Sequence, residues 1–138
     1  MATPINPAQV MRYVLAAERE LPPEQQTVWL HRVLSITEFD TVSAGLGSVE
    51  TYVDADGVTR SVQHSRVNTM RTEILRAALT GWERFDVPFR KDERRACCGV
   101  VQDTVPDATL SQIGAKDRHE IAEAIWRASQ LSETDRKN

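Results

Sequence analysis

The sequence predicts an α+β fold: one compact domain in which a small antiparallel sheet or hairpin is packed by three to four helices. Three observations carry this expectation. The stretch "TVWLHRVL" (27 to 34) is rich in β-branched and aromatic residues, as strands are. Asp56 and Gly57 stand between two apolar runs, the pattern of a tight hairpin turn. An apolar stripe at helical spacing then runs through Val67, Met70, Ile74, Leu75, Ala78 and Trp82.

The first segment, "INPAQVMRYVLAAERELPPEQQ", has Asn6 as a candidate N-cap and Pro7 at the first helical position, and Pro22-Pro23 ends it. Val10, Val14, Ala17 and Leu21 recur at spacings of four, three and four, which reads as an amphipathic helix. The alternation of Tyr13, Leu15 and Ala17 with Val14 and Ala16 reads as a strand, and both readings of residues 8–20 stay open. In the strand over 27 to 34, Val28, Leu30 and Leu34 fall on one side, and Thr27, Trp29, His31 and Val33 on the other.

A short helix follows. Ser35 and Glu38 have the Ser-x-x-Glu spacing of a capping box, Ile36, Phe39, Val42 and Leu46 are its inward positions, and Gly45 or Gly47 terminates it. The hairpin comes next, with Tyr52 and Val53 before the turn and Val58 and Val62 after it. The main helix is expected from His64 to Trp82, with Gly81 near its end and Arg66, Arg71, Glu73, Arg76 and Glu83 on its wet face. "ACCGVVQDTVPD" is apolar but short and broken by Gly99 and Pro106. "AKDRHEIAEAIWRASQ" is the last helix, with Ile121, Ala124, Ile125 and Ala128 inward and "LSETDRKN" as a polar tail.

At 138 residues the chain has the length of one domain and can bury roughly two thirds of its unfolded surface, so neither disulfide nor metal is needed for folding. The domain is taken as 1–138, with polar terminal arms at 1–7 and 131–138. A net charge of -3 offers no electrostatic case for nucleic acid, which calls for a basic face. No run reaches the ~18 apolar residues of a membrane span, and "MATPINPAQV" has neither the charged nor the apolar region of a signal peptide. The protein is therefore expected in the cytosol, with neither nucleic acid nor membrane as a partner, and no cofactor is expected.

Motifs that carry chemistry mostly fail on residue type. "HEIAE" (119 to 123) has Glu123 where a zinc protease has its second histidine. The Asp54 to Gly57 turn lacks the third oxygen ligand and the distal glutamate of a calcium loop. "GLGS" (45 to 48) is too short for a dinucleotide fingerprint, and His31 and His64 are isolated in sequence. Cys97 and Cys98 are adjacent, a poor geometry for a structural disulfide, so free, partly buried thiols are expected, with an intermolecular or redox role as the alternative. The expectation is a protein without catalytic residues.

Trp82, Phe85, Pro88 and Phe89 crowd into "GWERFDVPF". Either the main helix ends at Gly81 and Pro88 folds Phe89 back on the core as a structural clasp, or the rings form a patch for another protein. The clasp is the expectation. Contacts with partners are assigned instead to the polar stretches with too little apolar periodicity to bury themselves. These are the N-terminal arm, "RKDERR" with Arg90, Lys91, Arg94 and Arg95, and the C-terminal arm with Ser132, Asp135 and Arg136.

Taken in order, "ELPPEQQTVWLHRVLSITEFD", "LRAALTGWERFDVPFRKDE" and "IAEAIWRASQLSETDRKN" resemble a set of small morphogenesis proteins of tailed bacteriophages, over most of the chain. Relative to that pattern, only Asp86 stands between Phe85 and Val87, where a longer turn often lies. The resemblance implies a non-enzymatic structural or assembly role in head or tail morphogenesis, with other phage proteins and copies of itself as partners. The implied location is the virion, or the host cytoplasm during assembly. A tail assembly chaperone absent from the mature particle, and a small cytosolic protein-binding or regulatory module, are the alternatives.

Overall fold

The computed structural model describes residues 9–46, 48–64 and 66–137, the side chains of 48–50, 62–64 and 132–137 excepted. Its elements in chain order are β1 (Met11–Tyr13), β2 (Val28–His31), α1 (Ile36–Gly45), β3 (Ser48–Val53), β4 (Thr59–His64), α2 (Val67–Ala78), β5 (Leu79–Glu83), β6 (Glu93–Cys97), β7 (Val100–Thr104), α3 (Asp107–Leu110) and α4 (Ala115–Lys137). The fold is α+β. The described strands form a three-stranded antiparallel sheet in the order β1-β2-β5 and two separate hairpins, β3-β4 and β6-β7.

The core lies between α2, α4 and the three-stranded sheet. Ile74, Leu75, Ala77 and Ala78 of α2 face Ile121, Ala122 and Ile125 of α4, and the small alanines let the two helix backbones approach. Leu15, Trp29, Leu34, Val42, Val105, Leu110 and Ile113 close the same core from the surrounding segments. Ser129 is buried among them with its hydroxyl satisfied: it accepts from the Leu34 amide at 3.0 Å and donates to the Ile125 carbonyl at 2.8 Å.

Of the two readings of residues 8–20, the strand is realised in part. Met11–Tyr13 pairs with β2, and a 3-10 turn at Ala16–Glu18 follows. The amphipathic helix is not formed: two of its intended inward residues, Val10 and Leu21, are exposed. The open edge of β2 supplies a ladder of hydrogen bonds that an isolated helix interrupted by Pro22 does not match. Asn6 and Pro7 lie outside the described residues.

The main helix also differs from expectation, ending at Ala78 rather than Trp82. Leu79 takes extended backbone (φ -68, ψ 127), and the Ala78 carbonyl accepts from the Arg32 amide at 3.0 Å, so the sheet takes over where the helix stops. Trp82 therefore sits on β5 opposite Trp29, and Gly81 lies inside that strand opposite Leu30. A residue four places after Ala78 continues a helical stripe and also falls on alternate positions of a strand, which is why periodicity alone placed it wrongly.

Three smaller corrections follow. Ile36 of α1 is exposed rather than inward, and the buried member of that first turn is Glu38. "ACCGVVQDTVPD" and the charged residues before it form the β6-β7 hairpin, turning at Cys98 (φ 53) and Gly99 (φ 81). The stretch 131–138, expected as a tail, continues α4 as helix to Lys137, since nothing in "LSETDRK" breaks a helix.

Candidate functional site

The described side chains of the β3-β4 hairpin, from Thr51 to Ser61, are almost all exposed. Six residues on each side pair in register, from Ser48 opposite His64 to Val53 opposite Thr59, and the hairpin packs chiefly against itself. Its turn is built by Asp54. One carboxylate oxygen accepts from the amides of Asp56 (2.9 Å) and Val58 (3.0 Å), the other pairs with Arg60, and Gly57 takes the left-handed backbone (φ 81) that the reversal requires. The pairing with Arg60 and these amides hold the Asp54 carboxyl below its ordinary range.

Over the described side chains, both faces of this arm are open. Thr51, Tyr52, Val53, Val58, Thr59, Arg60 and Ser61 are all exposed, with Val53 at 66 % and Val58 at 49 %. Each strand also has an unpaired outer edge, because the sheet has only two strands. An open-edged hairpin with exposed β-branched residues is a template for another strand or a groove.

The aromatic cluster lies elsewhere and faces inward. Trp82 meets Phe85 (5.1 Å, 89°), Phe89 (4.9 Å, 85°) and Trp29 (5.7 Å, 75°) edge to face, and its indole N–H donates to the Val87 carbonyl at 2.7 Å. Trp29 is the member that the sequence reading missed; pairing "TVWLHRVL" with "LTGWE" in register would have found it. The chain reverses at Arg84 (φ 59) before it reaches Pro88, which is exposed. Tying Gln26 and Thr27 to this turn, Arg84 Nε donates to the Gln26 carbonyl and the Thr27 hydroxyl donates to the Arg84 carbonyl.

Of the basic residues expected to make contacts, Arg90, Arg94 and Arg95 are exposed and pair within the chain, with Asp92 (2.8 Å), Asp103 (3.4 Å) and Glu93 (3.3 Å). Lys91, expected at the surface with them, is instead turned inward, its ammonium donating to the Ala77 carbonyl at 2.8 Å, and burial followed by the charge of Arg32 lowers its pKa to about 8. The side chains of Ser132, Asp135 and Arg136 lie outside the described residues, as does the N-terminal arm.

A cleft of about 520 Å³ opens between β1, β2 and α4, lined among others by Met11, Tyr13, Arg19, His31, His119 and Glu120. Several of its charged groups are engaged within the chain: Arg12 pairs with Glu83, and Glu123 with Arg71. Glu120 accepts from the Tyr13 hydroxyl (2.7 Å) and the Ala16 amide (2.8 Å), fastening β1 and the turn after it to α4. His31 is buried and hydrogen-bonds the Arg32 carbonyl through Nδ1 at 3.0 Å, and burial lowers its pKa. Among the described residues lining this cleft there is no serine, threonine or cysteine, and its one hydroxyl, that of Tyr13, is given to Glu120.

No protein-family model, curated protein or solved structure matches this chain.

Proposed function

We propose that this chain is a non-enzymatic bacteriophage structural or assembly protein, acting through protein surfaces on other phage proteins and on copies of itself. The observation that supports the reading is the β3-β4 arm. A lone two-stranded hairpin is only marginally stable in water, so an arm of this kind gains its stability where a neighbour covers it. Strand-edge amides and carbonyls supply affinity, and Tyr52, Val53 and Val58 supply apolar contact. A second copy of the chain is the occupant proposed here: an arm that reaches a different surface of the next copy makes a heterologous contact, which repeats into rings or filaments. The phage setting rests on the sequence resemblance carried by "TVWLHRVL", "GWERFDVPF" and the closing "LSETDRKN".

The test is a Val53→Asp, Val58→Asp double variant in a phage that encodes the protein. The monomer should fold and melt as the wild type does while particle assembly or self-association fails. Wild-type assembly by the double variant would overturn the arm's role. Mass spectrometry of purified virions separates the two phage roles: stoichiometric recovery marks a component of the particle, and absence marks a tail assembly chaperone.

A further inference from the structure

We propose that Cys97, Cys98 and Glu73 form a three-ligand site for a thiophilic divalent ion of the zinc class. Consecutive residues of a strand point to opposite faces. Here Cys98 leaves the strand for left-handed backbone (φ 53) at the β6-β7 turn, and this brings its sulfur back beside that of Cys97. Such backbone strains a residue with a Cβ, and glycine or asparagine is the usual occupant.

The two sulfurs lie 3.8 Å apart. That is too far for a bond, and it matches the separation of about 3.8 Å that two thiolates take at ~2.3 Å from one tetrahedral zinc ion. A carboxylate oxygen of Glu73 completes a set of three ligand atoms, all within 4.8 Å of one another. In the metal-free chain both thiols donate to the Glu73 main-chain carbonyl, at 3.3 and 3.5 Å, and an ion would replace these two hydrogen bonds.

The set opens on a cleft of about 490 Å³ lined by Thr41, Arg66, Thr69 and Met70, which gives an ion a path in and leaves the fourth position to water. Two thiolates and a carboxylate around a divalent ion carry one net negative charge, which Arg66 in the cleft wall offsets, while the Arg76 guanidinium on Glu73 is shared with Asp107. Sulfur ligands select against magnesium and calcium, which take oxygen. On binding, each thiol gives its proton to solvent, so two protons are released per ion.

The reduced full-length chain titrated with Co²⁺ under anaerobic conditions tests this. One equivalent should bind with a near-ultraviolet thiolate-to-cobalt charge-transfer band, two protons should be released, and Zn²⁺ should displace the cobalt. Cys98→Gly suits the left-handed position and should keep the fold by circular dichroism while weakening Co²⁺ at least tenfold; Cys97→Ser should weaken it similarly. Glu73→Gln should retain the band but bind at least roughly tenfold more weakly, since losing a group that only supports the ligands already costs that much. The wild-type titration decides the case by itself: no charge-transfer band at millimolar Co²⁺ with both thiols reduced overturns the site. A band that Cys98→Gly leaves unchanged in position and affinity overturns it too.

Discussion

Arg32 grips Glu38 end-on: its two terminal nitrogens reach the two carboxylate oxygens at 2.8 and 2.9 Å in a pair that is largely withdrawn from water. Gln102 of β7 closes the triangle, donating to Glu38 at 2.8 Å and accepting from Arg32 at 2.9 Å. The Ser35 amide donates to the same carboxylate at 2.9 Å while the Ser35 hydroxyl accepts from the Glu38 amide, the two halves of a capping box. One buried carboxylate thus ties the end of β2, the start of α1 and the β6-β7 hairpin together.

Acid should loosen this junction first. Burial by itself would raise the Glu38 pKa, but the hydrogen bonds from Arg32, Ser35 and Gln102 win and lower it from 4.5 to about 2. A folded-state value below the unfolded one contributes stability that is fully present above pH 4.5 and is lost as pH falls towards 2. The shift corresponds to about 3 kcal/mol. Urea unfolding of the wild type should therefore weaken across that window, and Glu38→Gln should weaken less across it while starting lower at pH 7. An identical acid profile in the variant would refute the assignment.

Ser-x-x-Glu was legible as a cap because a cap is local, within one turn of chain. That the same glutamate is the buried anchor of a network was not legible, because its partners come from Arg32 outside the helix and from Gln102, distant in sequence. The same division runs through the fold. The Asp-Gly hairpin and the α2 stripe up to Ala78 are set by neighbours in sequence, whereas β1 and β5 exist only because a strand elsewhere pairs with them. Cys97 and Cys98 were read correctly as free thiols. Their approach to Glu73, which depends on a left-handed turn, carried no spacing signal.

The aromatic cluster gives a graded prediction. Trp82→Ala removes the ring that touches Trp29, Phe85 and Phe89, and should lower stability by about 3 kcal/mol, as truncated core aromatics do. Trp82→Phe keeps an aromatic ring but loses the indole hydrogen bond to Val87, and should cost about 1 kcal/mol. Chemical denaturation checks both. Unchanged stability together with loss of partner binding would mean that the rings serve as a docking patch.

Hydrogen exchange separates the arm from the body. Amides of Thr51, Val53 and Ser61 belong to a hairpin with little packing beyond itself and should exchange orders of magnitude faster than those of Leu75 or Ile125 in the core. Assembly into the complexes proposed for this chain should slow the arm amides and leave the core amides nearly unchanged. Equal protection of the arm in the isolated monomer would show that it needs no neighbour.

Lys91 and the arginines around it should respond in opposite ways to the same charge reversal. Arg94 and Arg95 lie on β6 with exposed partners, and exposed pairs contribute little, so Arg94→Glu with Arg95→Glu should change monomer stability by less than about 1 kcal/mol. Their effect should fall on association, as a weaker and less salt-dependent contact with a neighbouring copy. Lys91 is different because its ammonium caps the Ala77 carbonyl close to where α2 gives way to β5. Lys91→Glu leaves that carbonyl without its donor and places a carboxylate where the lysine was half-buried, at a cost of about 2 kcal/mol or more. Thermal melts of the two variants side by side give the answer: a destabilised Arg94, Arg95 variant beside an unaffected Lys91 variant would reverse the assignment of which basic residues face partners and which hold the fold.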